Sequence, residues 1–298
     1  METGIDTTMK SNTINNTSNT KKNNINSNTD NNMKNNNVNN EKNNIRKDIK
    51  TYHRNIKMTV SYDGAKYNGW QKQGNTHNTI QEKFEELLSR ILEEDIEVNA
   101  SGRTDAGVNA FGQVINFHTH NSIEVNELVK KMNQYLPKDI RVLTGEHVEE
   151  RFHARLNATG KHYVYRIDNG EVANIFERKY MYRIDEKLNV DMMKKACRIL
   201  EGEHDFACFC ANKKMKKSTV RNVYKIVLEE KNGAINMHFY GNGFLHNMVR
   251  IMSGTIIEVG LGKRDAESIR KLFEVKDRSR AGFLAPANAL FLAEVFYE

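Results

Sequence analysis

The chain has 298 residues, of which 38% are hydrophobic and 28% charged, and a formal net charge of +7. This composition supports a packed core. It contains no apolar run near the roughly 18 residues that a membrane span needs, so no transmembrane segment is expected. Cys197, Cys208 and Cys210 are an odd set without a C-x-x-C pair, which argues for reduced thiols in a cytoplasmic protein and against a disulfide scaffold or a zinc site.

Residues 1–50 contain no aromatic residue and no leucine, and roughly a third of them are asparagine. A segment with so little to bury cannot offset its ordering entropy, so residues 1–53 are expected to form a disordered tail. The segment has neither the apolar stretch of a signal peptide nor the arginine-rich amphipathic pattern of a transit peptide. It also carries part of the positive charge. With 8 Lys+Arg against 5 Asp+Glu in the first 50 residues, the remainder holds 37 against 33. Net charge is therefore a weak argument for a polyanionic partner, and local clustering is the stronger one. Lys213, Lys214, Lys216, Lys217 and Arg221 form such a cluster, either a solvated face or a contact for an RNA backbone.

From residue 54 onward the pattern is mixed. Residues 56–61 alternate as a strand, with Ile56, Met58 and Val60 on one face, and end in the turn Tyr62-Asp63-Gly64. Thr79 and Glu82 form a capping box. The helix it opens has an apolar stripe of Ile80, Phe84, Leu87, Leu88, Ile91 and Leu92. A strand is expected over 112–119, a helix over 127–136 stopping before Pro137, and extended chain over 140–148. A second set follows the same plan. Residues 161–167 read as a strand and 190–200 as a helix. Residues 220–229 and 234–240 read as a hairpin around Lys231-Asn232-Gly233. A long buried helix is expected over 244–259, a shorter one over 266–273, and a closing strand over 290–296. Helices interleaved with hairpins predict an α+β fold with mainly antiparallel sheets flanked by helices. The repeated strand–helix–strand order suggests two related subdomains, 54–155 and 156–298, with the site in a cleft between them.

Chemistry concentrates in Ala100-Ser101-Gly102-Arg103-Thr104-Asp105-Ala106-Gly107-Val108, a loop whose glycines permit positive φ or close approach to a ligand. Arg103 and Asp105 stand one residue apart, so each can influence the other. By spacing alone an R-x-D in such a loop is more often a structural salt bridge than a site.

The stretch from Gly102 to Val108 resembles the active-site signature of the TruA family of tRNA pseudouridine synthases. The resemblance extends over nearly all the folded part. Tyr62-Asp63-Gly64, Gly69-Trp70-Gln71-Lys72-Gln73 and Thr79-Ile80-Gln81-Glu82 are similar to the family's N-terminal segment. Phe152-His153-Ala154-Arg155 and the pair Tyr163 and Tyr165 are similar to its middle. The run from Gly241 to Arg250 resembles the segment before its long C-terminal helix, and Gly282 with Ala285-Pro286-Ala287 resembles its terminal loop. Asn109 departs from the family, which usually has histidine there, a change expected to bear on RNA contacts. The Asn-rich tail lies outside the pattern.

The resemblance implies the pseudouridine synthase fold and isomerisation of uridine to pseudouridine at tRNA positions 38, 39 or 40, in the anticodon stem-loop. It assigns the nucleophile to Asp105, with Arg103 favouring its charged form and holding the flipped nucleotide. It has Tyr163 stack on the uracil and assist loss of the C5 proton. Arg250, at the start of the long helix, is expected to enter the cleft and pair with a carboxylate or phosphate, or to make a buried structural ion pair. Leu245, His153 and Arg155 complete the expected substrate contacts. A homodimer with one tRNA across both subunits is implied too. No cofactor is expected, because the isomerisation is redox-neutral and needs no group donor. No metal is expected either: His118 and His120 share a strand face, but no third ligand follows at useful spacing. Two alternatives stay open, a related synthase acting on another RNA and a tRNA-binding module without chemistry.

Overall fold

The computed structural model describes residues 54–212 and 217–298. The tail expectation for 1–53, and Lys213, Lys214 and Lys216 of the basic cluster, lie outside the described residues. The chain opens with β1 (Arg54–Tyr62), α1 (Ile80–Leu92), β2 (Asn99–Ala100), β3 (Asn109–Thr119), α2 (Val125–Tyr135) and β4 (Ile140–Val148). It continues through β5 (Gly160–Asp168), β6 (Tyr182–Arg183), α3 (Val190–Leu200), β7 (Gly202–Asp205), β8 (Val220–Lys231) and β9 (Ala234–Gly241). It closes with α4 (Met248–Gly260), α5 (Ser268–Val275) and β10 (Leu290–Phe296).

Among the described residues one sheet runs in the order β4-β1-β3-β10-β5-β9-β8-β7, with β2 on β3 and β6 on β5. Its pairings are antiparallel except for the short parallel matches of β10 with β3 and of β5 with β6. The fold is therefore α+β with a mainly antiparallel sheet flanked by helices, as expected. The closing strand is the hinge of the topology. It pairs with β5 over its length and meets β3 only at Phe291 and Leu292, opposite Asn109 and Ala110. That contact joins the strands before residue 155 to those after it, and a single apolar cluster draws on both sets.

Local chemistry explains the element boundaries. The Thr79 side chain accepts a hydrogen bond from the Glu82 amide, the cap that the capping box requires. The second helix starts at Val125, two residues earlier than expected, and ends because Leu136 is extended ahead of Pro137. The expectation that the long helix begins at residue 244 is corrected. Asn247 takes φ 61°, a left-handed turn that asparagine tolerates, so the helix begins at Met248. Residues 244–247 form an entry turn instead.

The C-terminal loop lies hard against α4. The Gly282 amide donates to Thr255 Oγ1 at 2.9 Å, and the Ala285 amide to the Arg250 carbonyl at 3.3 Å. A Cβ on Gly254 would stand 2.0 Å from the Phe283 carbonyl oxygen. Gly254→Ala is thus expected to push the loop off the helix and cost about 1–3 kcal/mol. Thermal melts should show a Tm drop of about 2–4 °C per kcal/mol. An unchanged Tm would contradict this packing.

Candidate active site

The loop carrying Asp105 is held by hydrogen bonds to β3, Tyr62 and Trp70. The Ser101 amide donates to the Val114 carbonyl at 2.8 Å, and the Ser101 hydroxyl reaches Gln113 Oε1 at 2.5 Å. Gln113 Nε2 donates to the Gly102 carbonyl at 2.8 Å. One turn on, Thr104 Oγ1 lies 2.8 Å from the Tyr62 hydroxyl, and the Thr104 carbonyl accepts from the Trp70 amide at 3.0 Å. Ser101, Thr104 and Gln113 are all buried. Gly64 allows the Tyr62-Asp63-Gly64 turn to pack directly on the loop, since a Cβ there would lie 2.0 Å from the Val108 carbonyl oxygen. With the loop clamped at 101, 102 and 104, little backbone freedom remains at Asp105.

The Asp105 side chain is one-quarter exposed. A histidine and an arginine face it from the other half of the chain. His246 Nε2 lies 3.5 Å from Oδ1, and Arg250 Nη1 lies 3.7 Å from Oδ2. Both separations exceed good hydrogen-bond length, so the two side chains act on the carboxylate through charge more than through well-made hydrogen bonds. Arg250 is fixed independently of Asp105. Its Nε donates to the Ala285 carbonyl at 2.8 Å and its Nη1 to Asn247 Oδ1 at 3.0 Å. The left-handed turn at Asn247 therefore both starts the helix and seats the arginine. Burial pushes the Asp105 carboxyl above the usual carboxylate range, against the opposing charges of His246, when protonated, and Arg250.

Tyr163 lies close enough for the Asp105 charge to disfavour its phenolate, although burial is the larger cause of its raised pKa. The residue is 8% exposed, and its ring lies nearly perpendicular to that of Phe244, 5.3 Å between centroids. Two residues along β5, the Tyr165 hydroxyl is buried without a hydrogen-bond partner. Leu245, expected to contact substrate, is buried in the core.

The other expected residues gather beside the loop rather than on Asp105. Arg103 is exposed and lines a groove of about 570 Å³ with Trp70, His153, Arg155, Leu156 and Lys217. Burial and the charges of His246 and Arg250 act on Asp105, and Arg103 is not among them. The expected electrostatic role thus falls to two distant residues. Arg250 was anticipated. His246 was not singled out, although it sits inside the Gly241–Arg250 run, because a lone histidine in a turn has no distinguishing spacing. Arg221 is half-buried on β8, near enough to Arg155 for their charges to interact.

Asn109, expected to bear on RNA contacts, is buried within the protein. It is 2% exposed, accepts from the Gly64 amide at 2.9 Å and donates to the Asn288 carbonyl at 2.8 Å. It ties the N-terminal turn to the C-terminal loop. One group among the described residues, His77, Glu82 and Glu86, brings three possible ligand atoms within 4.8 Å, with His77 and Glu86 exposed. All three cysteines are buried, as small core side chains. No helix among the described residues is long and apolar enough to cross a membrane.

A family profile described as tRNA pseudouridine synthase matches residues 58–157 and 196–298. The chain is 46% identical over 241 residues to a tRNA pseudouridine synthase A 2 of Bacillus cereus, covering 81% of this chain and 98% of that one. It is 45% identical over 243 residues to tRNA pseudouridine synthase A of a Bacillus species, covering 82% and 99%. With tRNA pseudouridine synthase A 2 of Clostridium perfringens the identity is 42% over 244 residues, covering 82% and 100%.

Proposed function

Since the chain belongs to the tRNA pseudouridine synthase family, whose members isomerise uridine to pseudouridine, we propose that it acts at tRNA positions 38, 39 or 40 with Asp105 as the nucleophile. The observation that carries this reading is the Asp105 carboxylate itself. It sits on a clamped loop, one-quarter exposed, and faces His246 and Arg250 across gaps of 3.5 and 3.7 Å. A partly desolvated carboxylate with positive charge opposite it suits nucleophilic attack, because it is both reactive and held in one place.

The reaction conserves every atom of the nucleoside. Asp105 adds to the nucleotide, the N1–C1′ bond breaks, and the freed uracil turns. C5 then bonds to C1′, the carboxylate leaves, and the C5 proton is lost to solvent as N1 gains one. Tyr163, close enough to Asp105 to feel its charge, is assigned to stack on the turning base with its neutral phenol. Stacking there requires the base to leave its helix, and Phe244 must yield part of its edge contact. Arg103, His153, Arg155 and Lys217 line the adjoining groove and are suited to the RNA backbone, which would place the substrate between subdomains 54–155 and 156–298.

The direct test is tritium release from C5-labelled uridine in tRNA, followed by mapping of the modified positions. Release with modification at 38, 39 or 40 is expected. Release only from another RNA would move the substrate, and binding without release from any RNA would favour a tRNA-binding module without chemistry. We also propose a cytoplasmic homodimer that holds one tRNA across both subunits. Sizing at micromolar concentration should give the dimer mass, and a monomer there would refute it.

A further inference from the structure

Lys161 opens the same strand as Tyr163 and Tyr165, yet neither the chemistry above nor its spacing gives it a task. Its Nζ donates to the Ser101 carbonyl at 2.8 Å, inside the loop that carries Asp105. The same amine occupies the space beside Gly102, where an added Cβ would stand 2.9 Å from it. Gly102 is therefore the residue that lets a lysine into the back of the catalytic loop.

Its surroundings are cationic. Arg155 and Arg221 are the charges that act on Lys161, and Arg155 acts on Arg221 as well. Among the described residues, no carboxylate forms an ion pair with Lys161, Arg155 or Arg221, although many other Lys and Arg side chains here have one. Burial and these two arginines pull the amine down to about 8. Three cations gathered without an anion are held at a cost unless a ligand completes them.

Strand geometry says which anion. Lys161 and Tyr163 are two residues apart on β5, whose pairing with β9 runs without a register shift, so their side chains project from one face about 7 Å apart. That spacing is comparable to the reach from a nucleobase to its own phosphate. We infer that Lys161, with Arg155 and Arg221, forms a subsite for the backbone phosphate flanking the nucleotide that turns over Tyr163. This rests on the proposed function and deepens it, since it names the part of the RNA that docks behind the catalytic loop.

The test is a cycle between protein and RNA variants. A tRNA anticodon-arm transcript carries a neutral methylphosphonate at single positions around the mapped target. Binding is measured with the full chain and with Lys161→Met, both in an Asp105→Asn background so that no turnover intervenes. One neutralised phosphate beside the target should weaken binding to the Lys161-containing chain by about tenfold, the scale of a charge-assisted hydrogen bond. The same RNA should weaken binding to the Lys161→Met chain by about twofold or less, because the partner is already gone. Equal losses in both proteins would overturn the subsite and leave Lys161 as a prop for Ser101. Should Lys161→Met unfold, Arg221→Gln supplies the same cycle from the half-exposed side of the cluster, with the same two readings. Tritium release by the wild-type chain is measured first. Its absence defeats the proposed function whatever Lys161 does, whereas release combined with equal losses defeats the subsite alone.

Discussion

Asp105→Asn is expected to abolish tritium release from C5-labelled tRNA, by at least about 10⁴-fold, the scale on which removing an attacking group acts. The amide keeps the shape of the carboxylate but cannot attack carbon. Nothing else in the loop changes, since Ser101, Thr104 and Gln113 hold its backbone. Affinity for tRNA should stay within a few-fold of wild type, because the groove residues Arg103, His153, Arg155 and Lys217 are untouched. Product formation near the wild-type rate would remove Asp105 from the chemistry.

The same substitution should make the protein slightly more stable at neutral pH. In the fold, burial raises the Asp105 pKa above its ordinary value. A raised carboxyl adds stability that is complete below the unfolded pKa and is lost as pH rises through the folded one. At neutral pH the ionised side chain is then a net burden on the fold, a common feature of active sites. Asparagine removes that burden, so the Tm of the variant should exceed wild type by a few degrees at most near pH 7. The difference should vanish in acid, once the wild-type carboxyl is protonated.

The fold was legible where sequence period and packing coincide. Strands β1, β4 and β10 and helices α1 and α3 alternate or stripe clearly and were read within a few residues. β7 was invisible because Gly202-Glu203-His204-Asp205 has no apolar alternation; it exists only as an edge partner of β8. The start of α4 was misplaced because Phe244, Leu245, Met248 and Val249 have helical spacing, and one left-handed backbone angle at Asn247 overrides it. In the site, the motif pointed to Asp105 and the helix start to Arg250, but His246 beside the carboxylate was not singled out. Nearness in sequence favoured Arg103, whereas folding brings in His246 and Arg250 from more than a hundred residues away. Lys161 illustrates the same limit, since an alternating strand shows which side chains share a face but not that a lysine braces the Ser101 carbonyl of the catalytic loop.

Arg250→Met should be the converse of the Asp105 variant, lowering activity and stability together. On activity, the variant loses the fixed positive charge facing Oδ2, and kcat should fall by about 10²–10³, as when one preorganised electrostatic contact is removed. On stability, the Ala285 carbonyl and Asn247 Oδ1 both lose their donor, which costs about 1–3 kcal/mol for the carbonyl if it stays dry. A purely structural arginine would predict only the second effect, so the pH profile decides. Arg250 counteracts the burial that raises Asp105, and without it the carboxyl must ionise at still higher pH. The acid limb of the rate should therefore move to higher pH in Arg250→Met. Arg250→Lys keeps a charge but cannot serve the carbonyl, the amide oxygen and the carboxylate at once, so it should restore the acid limb more fully than kcat. An acid limb that stays in place in Arg250→Met, with activity falling only as the protein melts, would reduce Arg250 to a brace between α4 and the C-terminal loop and leave His246 as the side chain opposite the nucleophile.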